Sequence, residues 1–215
     1  MFQGFTPETI DFLWGIRMNN NREWFQAHKQ AYVTQLYEPM KALGAELFQP
    51  FAQQPGNILK VSRIYRDARM HHPLPYKETL YTGIRKNVDE WCESPCLYAE
   101  IGPDGISYGL LMWRPSPAYM ERFRREIQAH PDDFLKLLDR TEKACGIPVT
   151  ARCYKRPRPA EDPRLAPFFA WKDSICCIRE EPVAPELFGP ELGSRIAELL
   201  GKLTELYEFF GRFLD

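Results

Sequence analysis

Residues 96–113, CLYAEIGPDGISYGLLMW, decide the fold. Gly102-Pro103-Asp104-Gly105 is a turn signal, because proline pre-sets one backbone dihedral while glycine and aspartate tolerate tight ones. Tyr98-Ala99-Glu100-Ile101 before it and Ile106 to Trp113 after it form an antiparallel hairpin. Working outward, residues 57–66, NILKVSRIYR, have the branched and aromatic content of a strand. Residues 80–88 and 96–102 are weaker strand candidates, and 151–157 and 174–179 read as short strands.

The flanks change period. Thr6-Pro7-Glu8 is a helix start, a hydroxyl cap followed by a proline whose missing N–H costs nothing there. Ile10, Phe12, Leu13 and Ile16 form its apolar stripe, and Asn19-Asn20-Asn21 stops it. Trp24, Phe25, His28, Tyr32 and Leu36 recur at helical spacing. Pro39 interrupts or kinks that second stretch, which Leu43, Leu47, Phe48 and Phe51 continue to about Gln53. Helices resume near Pro117, with Met120, Phe123 and Ile127 on one face, and again after His130-Pro131. From Pro190 to Phe213, Leu192, Ile196, Leu199, Leu200, Leu203, Leu206 and Phe210 mark a long amphipathic helix. Helices, then strands, then helices, without βαβ alternation, predict an α+β fold. The expected architecture is a largely antiparallel sheet flanked by N-terminal and C-terminal helices, in a single domain over 1–215.

Composition removes several function classes. The 215 residues are 44% hydrophobic and 13% aromatic, which opposes disorder. The 28 Lys and Arg balance 29 Asp and Glu, so no global field recruits nucleic acid or an anionic membrane. No run approaches the roughly 20 apolar residues of a membrane helix. The start, Met-Phe-Gln-Gly-Phe, lacks the basic and apolar regions of a signal peptide, so a cytoplasmic location is expected. Six cysteines, at 92, 96, 145, 153, 176 and 177, are then expected as free thiols. Neither Cys92/Cys96 nor Cys176/Cys177 has C-x-x-C spacing, and they read as small buried hydrophobes rather than metal ligands. No nucleophile elbow, zinc helix, P-loop or dinucleotide-binding motif occurs, so no cofactor is expected.

The densest chemistry lies in residues 62–77, SRIYRDARMHHPLPYK. From 58 to 77, Lys60, Arg63, Arg66, Arg69 and Lys77 face Asp67 alone, a local positive excess in a neutral chain. In an extended chain, Arg63, Tyr65, Asp67 and Arg69 share one face. Two readings stay open. Asp67 can hold Arg63 or Arg69 in a bidentate structural pair, with remote acids such as Glu100, Glu180 or Glu181 completing a scaffold network. Alternatively, Arg63, Arg66 and Arg69 grip the oxyanion of a small ligand. In that case Tyr76 and Lys77 are donors or general acids, and Asp67 is an orienting group or base. Pro73 and Pro75 would stiffen the loop that delivers Tyr76 and Lys77.

These residues carry a resemblance. Gly4-Phe5, Phe12-Leu13, Asn20-Asn21-Arg22-Glu23-Trp24-Phe25, Arg63-Ile64-Tyr65-Arg66-Asp67-x-Arg69 and Pro75-Tyr76-Lys77 resemble the domain-of-unknown-function family 2461 of uncharacterised microbial proteins. Lys155-Arg156-Pro157, Asp162-Pro163 and Trp171-Lys172 fit the same pattern. The resemblance covers essentially the whole chain and implies a shared fold. It carries no activity and no catalytic residues. The chain departs from the pattern between Arg69 and Pro75, where Met70-His71-His72-Pro73-Leu74 replaces a longer segment containing Phe-Ser and charged residues.

Other clusters have weaker claims. Arg22, Trp24, His28 and Lys29 read as an aromatic core position beside a solvated basic face. Arg152, Lys155, Arg156 and Arg158, with Tyr154 among them, can contact phosphates and stack on bases. Pro157 and Pro159 break that strip, and Glu161 and Asp162 follow it. His71-His72 can offer imidazoles to a metal, but neighbouring side chains rarely face one ion. A small anionic ligand is thus the leading partner, a nucleic acid bound at 152–158 the second, and a purely structural Arg–Asp network in an interaction module the third.

Overall fold

The hairpin read at 96–113 is the centre of the sheet. β3 (Cys96–Gly102) and β4 (Gly105–Met112) pair antiparallel from Cys96 opposite Leu111 to Gly102 opposite Gly105, closing over Pro103 and Asp104. The computed structural model describes residues 1–67, 69 and 73–214. Within them β1 (Asn57–Val61), β2 (Leu80–Lys86), β5 (Thr150–Cys153) and β6 (Trp171–Pro182) complete one antiparallel sheet in the order β1-β2-β3-β4-β6-β5.

Helices precede and follow the central strands, as the α+β reading requires. α1 (Pro7–Met18), α2 (Arg22–Ala27), the single turn α3 (Lys29–Ala31) and α4 (Glu38–Phe48) come first; α5 (Pro117–Ala129), α6 (Pro131–Cys145), the short α7 (Ala166–Phe169) and α8 (Glu191–Gly211) come later. α4 lies against β1 and β2, and α8 against β3 and β4. The strands alternate accordingly. Leu80, Thr82 and Ile84, Leu97, Ala99 and Ile101, and Ile106, Tyr108, Leu110 and Met112 are buried under the helices. Their neighbours in sequence form the opposite, more open face. One apolar cluster runs from Phe2 to Phe213 and contains the whole stripe read on α8.

Several boundaries differ from the sequence reading; β2 ends at Lys86 and not 88, and β5 ends at Cys153 and not 157, ahead of Pro157 and Pro159, which cannot donate to a ladder. The second helical stretch is broken into pieces: a π-helical segment, Tyr32–Tyr37, separates α3 from α4, and Pro39 is the second residue of α4. The widened turn accommodates a proline that cannot continue an ordinary hydrogen-bond ladder. The strand expected over 57–66 ends at Val61. There Ser62 takes over the pairing with Tyr81: Ser62 N–H donates to the Tyr81 carbonyl (2.8 Å), and Ser62 Oγ accepts from the Tyr81 N–H (3.0 Å). β6 is longer than its predicted 174–179 because it is paired on both sides, by β4 and by β5.

Candidate functional site

After Ser62 the chain leaves the sheet and pairs with the segment that returns through Pro75. Arg66 N–H donates to the Pro75 carbonyl (2.9 Å), Lys77 N–H donates to the Ile64 carbonyl (2.7 Å), and Tyr65 bridges to Tyr76. This miniature ladder sets Arg63, Tyr65, Arg66 and Lys77 on adjoining positions. Its outer strand is held by Asn20. The Asn20 amide donates to the Tyr76 carbonyl (2.9 Å) and accepts from the Tyr76 N–H (3.0 Å), as a neighbouring strand would.

The asparagine run that stops α1 therefore does three separate jobs. Asn19 Nδ2 donates to the Gly15 carbonyl at the end of α1, Asn20 clamps Tyr76, and Asn21 Oδ1 caps α2 by accepting from the Trp24 N–H. Short amide side chains suit each role, because they hydrogen-bond backbone locally at little entropic cost.

A cleft of ≈ 760 Å³ opens beside the ladder, lined by Arg17, Arg63, Tyr65, Arg66, Asp67, Lys77, Glu78, Thr79 and Trp91. Its charges are unequally compensated. Arg17 is taken by Glu78 (2.8 Å) and by both oxygens of Asp104 (2.9 and 3.1 Å). Arg66 donates from Nε to the Tyr76 carbonyl (2.6 Å) and lies 3.9 Å from Glu78. Among the described residues, neither Arg63 nor Lys77 has an ion-pair partner. Burial depresses the Lys77 pKa; Glu100 opposes the shift, while the Arg66 and Arg63 charges reinforce it. The ammonium also lies over the Tyr81 ring at 5.8 Å.

The structure brings Arg63, Arg66, Asp67 and Lys77 together at this cleft, turns the Tyr76 side chain away from it, and ties Arg69 to Asp67 outside the lining. Tyr76 is in the core, stacked on Phe25 with centroids 4.2 Å apart. It contributes backbone, not a hydroxyl, to the cleft. Asp67 is held by Arg69, through Nε (3.0 Å), Nη2 (2.6 Å) and the backbone N–H (3.0 Å), and not by Arg63. A residue two positions along can close such a fork locally, whereas Arg63 turns to the cleft at the chain's departure from β1. Of the remote acids, Glu181 is occupied by Tyr108 and Arg195, and Glu100 accepts from Thr79 (2.8 Å). Glu78, adjacent to Lys77 in sequence, supplies the compensation instead. Arg17, Glu78, Thr79 and Trp91 were not singled out from the sequence.

Beyond Lys77, the open sheet face holds a second hollow of ≈ 200 Å³, whose lining includes Tyr81, Gly83, Trp91, Cys96, Tyr98, Leu111 and Trp113. Cross-strand register explains it. Lys60, Gly83, Tyr98, Gly109 and Ile178 form one row across the sheet, so the Tyr98 ring stands between two glycines. Gly109 has φ +148, and a Cβ there would meet the Cys177 carbonyl oxygen at 2.1 Å; a Cβ at Gly83 would meet Cys96 Sγ at 2.6 Å. Gly109 thus permits the close approach of β6, while the missing side chain at Gly83 leaves space that tryptophans border. Trp91 and Trp113 are 54% and 55% exposed. The Ser174 N–H, in a residue with φ +51, donates to the Trp113 carbonyl (3.1 Å) and fixes that end of β4. Burial pushes the Cys96 thiol up to about 12, which favours its protonated form at the hollow's surface.

The remaining clusters have local explanations. Trp24 stacks on His28 at 4.0 Å and occupies the space above Gly15, where a Cβ would meet its ring at 2.4 Å. In the 152–158 strip, Arg152 pairs with Asp173, Arg158 pairs with Glu121, and the Tyr154 ring faces Arg124 and Lys172. All six cysteines are free thiols. His71 and His72 lie outside the described residues. Among the described residues no helix is long and apolar enough to cross a membrane.

Fold and site together define an α+β protein whose single antiparallel sheet is helix-covered on one face and carries a cationic cleft joined to an aromatic hollow on the other. The chain belongs to the family described as conserved hypothetical protein (DUF2461), whose model matches residues 8–209. No curated protein matches it.

Proposed function

We propose that the cleft between Arg63 and Lys77 binds the oxyanion group of a small phosphate- or carboxylate-bearing ligand. The observation that carries this reading is Lys77, a half-buried ammonium with no ion-pair partner among the described residues and with the charges of Arg63 and Arg66 nearby. Burying an ammonium without a direct ion pair is unfavourable, and an oxyanion beside Lys77 supplies that pair while accepting from the exposed Arg63 and from the free edge of Arg66. Asp67 and Glu78 position guanidinium groups at the rim. The reading favours a compact anion over nucleic acid, because Arg152 and Arg158 of the basic strip are already matched by Asp173 and Glu121. We place the protein in the cytoplasm, where six free thiols persist.

Thermal stability against inorganic phosphate, pyrophosphate and malonate tests the reading. A ligand present at about 100 times its dissociation constant adds roughly 2.7 kcal/mol of stability, and Lys77→Met removes that gain. No stabilisation by any of the three, or an undiminished gain in Lys77→Met, contradicts it.

A further inference from the structure

The cationic cleft does not end at Lys77. Its ammonium lies over the Tyr81 ring, and Tyr81 also lines the hollow on the open sheet face. Trp91 lines both spaces. A charged depression and an apolar one thus adjoin, sharing Trp91 and meeting where Lys77 lies over Tyr81. The apolar end is lined by Gly83, Cys96, Tyr98 and Leu111 of the sheet together with Trp91 and Trp113, and Lys60, Arg85 and Glu100 also border it. Its ≈ 200 Å³ exceeds the roughly 150 Å³ of an apolar cavity known to admit benzene.

Two half-exposed tryptophans around a concavity are costly to leave in water and are the kind of surface that planar ligands cover. Gly83 gives the matching negative shape: a side chain there would press on Cys96 and fill the space, and its neighbour Lys60 in the cross-strand row lines the same hollow. We propose that the ligand is a planar aromatic oxyanion, an aryl phosphate or aryl carboxylate. Its ring lies between Trp91 and Trp113 over Gly83, and its anionic group meets Lys77, Arg63 and Arg66. This deepens the anion-binding reading and rests on it. It makes selectivity depend on the aromatic hollow and not on charge alone.

Calorimetric titration of the full chain with three probes separates the two ideas: 2-naphthyl phosphate, inorganic phosphate and neutral 2-naphthol. Naphthyl phosphate is expected to bind at least about tenfold more tightly than either of the others. It should quench tryptophan fluorescence, and its advantage over phosphate should vanish in Trp113→Ala. Equal affinity of naphthyl phosphate and phosphate overturns the aromatic ligand and leaves the anion cleft standing. Binding of 2-naphthol as tight as that of naphthyl phosphate overturns both, since the charge then contributes nothing. Failure of naphthyl phosphate and phosphate alike also overturns both. The wild-type comparison decides these outcomes even if Trp113→Ala does not fold.

Discussion

The Asn20 side chain and the Tyr76 backbone exchange two hydrogen bonds, donor to carbonyl and N–H to acceptor, 56 residues apart in sequence. A single amide thereby replaces a strand at the edge of the ladder and fixes the residue immediately before Lys77. The cleft is thus tied to the end of α1.

Asn20→Ala leaves a buried peptide N–H unmatched and deprives the Tyr76 carbonyl of one donor. The expected cost is about 1–3 kcal/mol, measured by denaturant unfolding, together with weaker oxyanion binding because Lys77 is no longer held. Asn20→Ala with unchanged stability and unchanged affinity would show that the clamp does not position the site.

The Lys77 amine predicts a pH dependence with a definite sign. Its folded pKa lies below the ordinary 10.5, burial being the main cause. Between the folded and unfolded values the unfolded chain holds more protons, so this group's contribution to stability rises with pH across that window. A bound anion favours the ammonium and raises its pKa. Affinity for sulfate, whose charge is constant, should therefore be full below the folded pKa and fall as pH rises through it, before 10.5 is reached. Lys77→Arg, which stays charged, should bind across the same range. A wild-type profile that shows no fall before the ordinary 10.5 is reached would remove Lys77 from the site.

Arg69 serves as an internal comparison. Its side chain is 88% exposed and its pair with Asp67 lies in solvent-screened surroundings. Exposed pairs contribute about 0–1 kcal/mol. Arg69→Ala should accordingly change stability by less than about 1 kcal/mol and leave sulfate affinity near wild type, whereas Arg63→Ala lowers it. A larger loss in Arg69→Ala than in Arg63→Ala would show that the Asp67 fork, not the Arg63 face, meets the anion.

Much of this architecture is legible from local pattern. The Pro103-Asp104 turn flanked by apolar alternation specifies β3 and β4, and the 3–4 spacing from Leu192 to Phe210 specifies α8. Residues 57–66 mislead because NILKVSRIYR keeps strand composition beyond Val61, while the break depends on Ser62 pairing with Tyr81, a tertiary event. The site divides the same way. Charge counting finds Arg63, Arg66 and Lys77, since an excess over 58–77 is a property of sequence alone. It misassigns Tyr76, because stacking on Phe25 turns a polar side chain inward. It misses Glu78 and Trp91, whose roles arise only when Arg17 and the sheet face are brought near Lys77. The hollow at Gly83 is legible only through cross-strand register, which places Tyr98 between two glycines.

The central claim is that Lys77 carries charge kept for a ligand rather than for the scaffold. The most direct test compares wild type with Lys77→Met by denaturant unfolding, with and without pyrophosphate. Without ligand, the variant is expected to be at least as stable as wild type to within about 0.5 kcal/mol, because it no longer buries an unmatched ammonium. With pyrophosphate, only the wild type should gain stability. A variant several kcal/mol less stable without ligand, or one that pyrophosphate stabilises as much as the wild type, would contradict the account and make Lys77 part of the framework.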